Sequence, residues 1–175
     1  LEPSGRNTAP ALTLAALCAV EQGDDPILLI TPADQIIQNL PAFEKAMQSA
    51  LQIAQTGAIA ILGINPSAPE TGYGYIKAQA KGAQSSGGMV VERFVEKPNL
   101  ATATQYLKEG GYYWNGGMFV LKASVWLDAL KEFRPDISNA TQVAWQTKTS
   151  DAKFVRPGKK EFAAVASESI DYAVM

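Results

Sequence analysis

The chain has 175 residues, 47% hydrophobic and 18% charged, which is the balance of an ordinary globular protein large enough to bury a real core. A formal net charge of −2 argues against nucleic acid or an anionic membrane as partner, and no apolar run approaches the roughly 20 residues that span a bilayer. There is no histidine and a single cysteine, Cys18, which excludes internal disulfides, Ser-His or Cys-His catalysis and most zinc sites. The chemistry left is that of carboxylates, amines, backbone amides and hard metal ions, with a reducing cytoplasm as the expected setting. Leu1 and Met175 both lie in structured-looking segments, so the chain reads as one domain over 1–175, cut from a longer protein at both ends.

The first predicted element is a helix over 10–22, with Pro10 in its first turn and Gly23 after its end. It is apolar nearly all round, so burial is expected, with Cys18 as a buried structural thiol. Ile27–Ile30 is a continuous apolar run that suits a central parallel strand covered on both faces. A helix over 41–56 places Phe43, Ala46, Met47, Ala50, Leu51 and Ala54 on one face, and Ala58–Ile64 reads as a second buried strand. Strand, helix, strand in that order implies a right-handed crossover and a parallel sheet. After the breaker-rich loop Asn65–Gly72 come a short strand at Tyr73–Lys77, a flexible turn over 80–88 and a partner strand at Met89–Lys97. A helix over 100–109, a strand over 117–121, a helix capped by Ser124 with Trp126, Ala129, Leu130 and Phe133 on one face, and a helix near 136–147 complete the reading. The sum is an α/β fold with a mixed, mostly parallel sheet and helices on both faces, a three-layer Rossmann-like architecture.

Several short stretches carry chemistry-bearing residues. Glu96 and Lys97 end an apolar strand, where an open α/β sheet presents groups to a ligand. Glu accepts hydrogen bonds from sugar hydroxyls and Lys is a compact charge suited to phosphate, although a solvated strand end with an incidental ion pair accounts for the same residues. Asp34 follows the run Ile27–Ile30 and is placed to hold Mg²⁺ through one oxygen, or simply to cap a turn. Gly5-Arg6-Asn7-Thr8 precedes a helix start and reads as an anion or base-edge site, or as plain capping. Gly74 lets a backbone approach a ligand closely, or marks a bulge. Asn115, before Gly116-Gly117, bonds sugar hydroxyls or makes a tight turn.

Taken together, LEPSGRNTAPA at 1–11, ITPADQ at 30–35, PETGYGYI at 69–76, RFVEKP at 93–98, YYWNGGMF at 112–119 and SIDYAVM at 169–175 resemble the nucleotidyltransferase domain of mannose-1-phosphate guanylyltransferases, in family order and over nearly the whole chain. The resemblance implies an enzyme that makes GDP-mannose and pyrophosphate from GTP and mannose 1-phosphate, with Mg²⁺. It implies that Lys97 binds the sugar phosphate and Glu96 the sugar hydroxyls, that Gly74 and Asn115 line the sugar pocket, that Glu2, Arg6, Asn7 and Thr8 lie beside the guanine nucleotide, that Asp34 ligates the metal, and that Asp171 plays a supporting part. A homo-oligomer is compatible with it.

The chain also departs from the family pattern. The phosphate-binding G-x-G-T-R loop is expected upstream of Leu1 and a second metal Asp beyond Met175, so the isolated stretch is expected to be inactive. Gln35 stands where the family usually has His, and Gly116 where it usually has Ser. Two other readings are a pyrophosphorylase for another hexose 1-phosphate and a non-catalytic domain that binds sugar nucleotides to regulate.

Overall fold

The computed structural model describes residues 1–79 and 87–175; the centre of the predicted turn over 80–88 lies outside the described residues. The chain forms two compact units, one of Leu1–Leu28 with Lys122–Met175 and one of Leu29–Leu121.

The first unit is helical. Helix α1 (Thr8–Val20) packs on α4 (Ala123–Phe133) and α5 (Pro135–Gln146), and the short helices α6 (Lys159–Ala163) and α7 (Ile170–Val174) close the bundle. Its core holds Trp126, Leu130, Ile137, Phe162 and Val165, all essentially inaccessible. Thr13 is buried among them and its hydroxyl serves twice: it donates to the Ala9 carbonyl at 2.7 Å and accepts from Trp126 Nε1 at 3.0 Å. A small hairpin, β6 (Thr149–Ser150) with β7 (Val155–Arg156), lies in the stretch that carried no regular prediction after 147.

Three expectations are corrected here. Cys18 is exposed, because a helix apolar on every side still turns one face outward, and Ala15 and Cys18 lie on that face. Phe133 is 58% exposed at the end of α4, beyond the packed face that Trp126 and Leu130 form. Ser124 does not cap α4: Asp25 does, accepting from the Ser124 N–H at 2.9 Å and from its hydroxyl at 2.7 Å. A carboxylate 99 residues away in sequence thus takes the place of the local cap.

Strand β1 (Ile27–Ile30) leads into the second unit, which contains α2 (Leu40–Gln55), β2 (Ala60–Ile64), β3 (Tyr75–Ala78), β4 (Val91–Val95) and α3 (Leu100–Glu109). β5 (Tyr112–Lys122) completes it and ends at the next boundary. Asn39 and Asn99 cap α2 and α3 through their side-chain oxygens, so both helices begin where local chemistry places them. The sheet order is β1-β5-β3-β4, with β2 also on β5. β2–β5, β3–β5 and β3–β4 all run antiparallel.

The mostly parallel sheet is therefore corrected. β1 and β2 flank helix α2 in sequence but each pairs with β5, which comes later and runs antiparallel to β2. Nor are β1 and β2 wholly covered: Leu29 is 51% and Ile64 43% exposed. β5 is buried on both faces over Met118, Phe119, Val120 and Leu121, which are consecutive core residues. On one face of the sheet Tyr75 and Tyr112 pack with Tyr106 and Ala103 of α3, and Tyr106 stacks on Tyr112 at 3.9 Å.

Two stability outcomes follow from the first unit. Thr13→Val keeps volume but leaves the buried Trp126 donor without an acceptor, and a loss of about 1–3 kcal/mol is expected in urea unfolding. Asp25→Ala removes the distant cap and is expected to lose about 1 kcal/mol at neutral pH. Bonds from Ser124 hold the Asp25 carboxyl below its ordinary value of 3.8. Its contribution is present above that value and is lost as pH falls through the lower folded value, so parent and variant stabilities converge in acid.

Candidate active site

The second unit brings three of the singled-out residues into one row. Tyr75 stands opposite Val95 on one side and Trp114 on the other. The next residues along each strand are Gly74, Glu96 and Asn115, so antiparallel register sets them side by side on the same face. The Asn115 N–H donates to the Gly74 carbonyl at 2.8 Å. A Cβ at Gly74 would lie 2.7 Å from Glu96 Oε2 and 2.8 Å from the Phe94 ring, so a larger residue there would displace the carboxylate from its present position. The close approach at Gly74 is thus made by Glu96 of the same chain, not by the ligand expected from sequence.

Glu96 is largely buried and Lys97 is exposed, with side chains 16% and 61% accessible. The two form an ion pair. Lys97 takes a positive φ of 46°, a left-handed backbone that turns the chain out of β4 before the buried Pro98. Strand end, ion pair and turn thus coincide in two adjacent residues.

Asn115 sits on a bulge. Between β2 and β5 the register runs Ile61↔Phe119 and then Gly63↔Asn115, so β5 advances four residues while β2 advances two. The surplus is absorbed at Gly116-Gly117, where Gly117 adopts φ 67° and donates its N–H to Asn115 Oδ1 at 3.0 Å. Gly116 is pressed against β2: a Cβ would lie 2.8 Å from the Leu62 carbonyl oxygen. The loop after β1 docks on the same bulge. Gln35 Nε2 donates to the Gly116 carbonyl at 3.0 Å, and Pro32 lies 3.2 Å from where a Cβ of Gly117 would be. Asp34 is exposed between these two anchors. Among the described residues no cluster of three or more acidic or cysteine side chains is poised to hold a metal.

Two neighbours of this row were not singled out from sequence. Tyr73 and Trp114 meet edge to face with ring centroids 5.2 Å apart, and Trp114 Nε1 is buried with no hydrogen-bond acceptor among the described residues. The signal was present, since both aromatics lie inside the motifs that name Gly74 and Asn115.

The remaining candidates lie in the first unit. Arg6 donates to the Ala163 carbonyl, Asn7 Oδ1 accepts from the Thr8 N–H at 2.8 Å, and the Thr8 hydroxyl accepts from the Ile170 N–H at 2.9 Å. Asp171 follows Ile170 in α7, so the structure brings the Arg6–Thr8 segment and the SIDYAVM segment together. Asn7 has φ 65° and ψ −169°, a region that non-glycine residues rarely occupy, at a cost of order 1–3 kcal/mol. Glu2 is exposed as a residue, yet partial burial of its carboxyl raises its pKa. It borders a cleft of about 560 Å³ that Arg156 and Lys159 also line.

Known proteins are similar to this chain over its whole length. The sequence model of the family described as nucleotidyl transferase matches residues 1–161. The xanthan biosynthesis protein XanB of Xanthomonas campestris pv. campestris is 53% identical over 175 residues, which is 100% of this chain and 37% of that protein. A mannose-1-phosphate guanylyltransferase of Klebsiella pneumoniae is 47% identical over 176 residues, covering 100% of this chain and 37% of that one. The crystal structure of mannose-6-phosphate isomerase from Helicobacter pylori superposes with a TM-score of 0.88 at 36% identity, over 100% of this chain and 66% of the other. The chain thus spans little more than a third of the length of the curated relatives it matches. With the family's sequence pattern running across both units and the α/β architecture matched in full, this chain belongs to the nucleotidyl transferase family.

Proposed function

We propose that this chain is the nucleotidyltransferase part of a mannose-1-phosphate guanylyltransferase, a single catalytic domain of which the two compact units are portions. A phosphate oxygen of mannose 1-phosphate attacks the α-phosphorus of GTP, the bond to the β-phosphate breaks, and GDP-mannose and pyrophosphate result. The observation that carries this reading is the row of Gly74, Glu96 and Asn115 with Lys97 at its edge. It is supported by relatives of 47% identity that bear that activity in their names. The three-layer α/β/α arrangement, a cytoplasmic location and assembly into a homo-oligomer belong to the same reading.

Each residue has a task that its position supports. Lys97 is exposed and supplies positive charge for the sugar phosphate, while the more buried Glu96 offers carboxylate oxygens to sugar hydroxyls. Gly74 keeps that carboxylate in place by having no side chain, and Asn115 is held on a bulge that aims it at the same row. Glu2, Arg6, Asn7 and Thr8 are assigned to the guanine nucleotide and Asp171 to support of that segment.

Asp34 would hold Mg²⁺. One exposed carboxylate on an anchored loop fits an ion that keeps several waters and takes its other ligands from substrate phosphates. When bound, such an ion neutralises charge on the phosphates. Transfer of this kind requires positioning and charge neutralisation rather than a covalent protein nucleophile, so a chain without histidine is equipped for it.

The test uses the full-length protein and follows pyrophosphate release from GTP with mannose 1-phosphate beside other nucleotide and sugar-phosphate pairs. Turnover confined to the GTP and mannose pair is the expected result; turnover only with another pair would replace the substrate assignment. Lys97→Ala is expected to lower kcat/KM roughly 30-fold or more with the melting temperature unchanged, and a loss below tenfold refutes the role. Gly74→Ala pushes a methyl into Glu96 Oε2 and Phe94, so the KM for mannose 1-phosphate is expected to rise by roughly tenfold or more while the KM for GTP stays constant.

A further inference from the structure

Asn7 holds a strained backbone next to residues assigned to the nucleotide, and strain of this kind persists only where surrounding structure over-determines it. What surrounds it is specific. The Glu168 N–H donates to the Arg6 carbonyl at 3.3 Å, the Glu168 carbonyl accepts from the Ala9 N–H at 3.0 Å, and the Ile170 N–H donates to Thr8 Oγ1 at 2.9 Å. Residues 168–170 therefore bracket Asn7 from both sides along the chain.

The bracket is itself held by one side chain. Arg134 Nη1 donates to Glu168 Oε2 at 2.7 Å. The rest of the guanidinium is fixed by a two-point bond to Asp136, Nε to Oδ1 at 2.9 Å and Nη2 to Oδ2 at 2.8 Å. Arg134 sits at the junction of α4 and α5, where its own N–H donates to the Leu130 carbonyl at 2.8 Å. The pair with Glu168 is only 26% and 30% accessible, unlike an ordinary surface ion pair. Asp136 and then Glu168 keep the guanidinium charged through their hydrogen bonds, with a pKa raised far above the usual arginine value.

We propose that Arg134 is a positioning residue for nucleotide binding: through Glu168 it holds the strained Asn7 backbone in the form that meets the nucleotide. The idea rests on the reading that the Arg6–Thr8 segment lies beside GTP. Neither Arg134 nor Glu168 touches substrate in this scheme. Their effect passes through the hydrogen bonds to Arg6, Ala9 and, by way of Ile170, Thr8.

The experiment is steady-state kinetics of the full-length protein with GTP and mannose 1-phosphate varied separately, beside a thermal melt of each variant. Arg134→Met and Glu168→Gln are each expected to raise the KM for GTP roughly tenfold and to leave the KM for mannose 1-phosphate within about twofold. Arg134→Lys retains a one-point bond to Glu168 and is expected to recover the GTP KM to within roughly threefold. Asn7→Gly suits the backbone without strain and removes the side chain, so it tests the underlying reading without endangering the fold. If Asn7→Gly leaves the GTP KM unchanged, the nucleotide reading of the segment fails. If it raises that KM while Arg134→Met and Glu168→Gln do not, the positioning role is overturned and the reading stands. The decisive case is Arg134→Met made in Asn7→Gly. A route through Asn7 predicts no further rise in the GTP KM, whereas a purely structural role predicts additive losses. Should Arg134→Met fail to fold, Glu168→Gln in both backgrounds separates the same two outcomes.

Discussion

The candidate site depends on one irregularity, the bulge in β5 at Asn115-Gly116-Gly117. β5 is the strand on which β1, β2 and β3 all pair, so an offset in it is felt by the whole second unit. Upstream of the bulge Trp114 pairs with Tyr75, which fixes the row of Gly74, Glu96 and Asn115. Downstream, Phe119 and Val120 pair with Ile61 and Ala60 and form the fully buried part of the sheet. The bulge separates a stretch built for packing from a stretch built for presentation. It also supplies the carbonyl that anchors Gln35, so the position of the Asp34 loop is a consequence of the same two glycines. Bulges bend a strand and re-aim its side chains, and they recur beside active sites for that reason.

The first unit solves its own problem differently. Its helices have few local caps and depend on side chains from far along the chain: Asp25 caps α4, Thr8 receives the Ile170 N–H, and Arg134 pins Glu168. Long-range capping ties the start of α1, the α4–α5 junction and α7 into one set of bonds, with Thr13 and Trp126 beneath it as a buried polar contact. A segment that carries a strained Asn7 needs such a frame, because the strain would otherwise relax by local unwinding of the segment ahead of α1.

Legibility from sequence follows the range of the determining interaction. Helix α3 is legible to the residue and α2 to within one, because Pro41, Gly57 and Gly110 are local signals. β5 is legible only over 117–121, since the bulge at 115–117 breaks the two-residue alternation on which strand reading relies. Strand direction is not legible in the same way, because it is set by which strands meet, and β1 and β2 meet β5 instead of each other. Cys18 is expected inside only because α1 has no polar face to mark its outward side. For the site, Gly74, Glu96 and Asn115 are weak signals singly and become one row only through register. Arg134 and Glu168, 34 residues apart, carry no spacing that announces them.

The Glu96–Lys97 pair is asymmetric in its exposure to water. An exposed ion pair contributes little stability, on the order of 0–1 kcal/mol, because water competes for both charges. Here the carboxylate is largely buried and the ammonium is not, so the two partners differ in how easily each can change company. The Glu96 carboxylate lies over Gly74, whereas Lys97 projects from a left-handed turn. Of the two charges, the ammonium is therefore the one more open to water and the carboxylate the one more held by its surroundings. Because water still reaches both charges, the pair contributes little to holding the fold together, and what it fixes is the mutual position of two adjacent side chains at the end of β4.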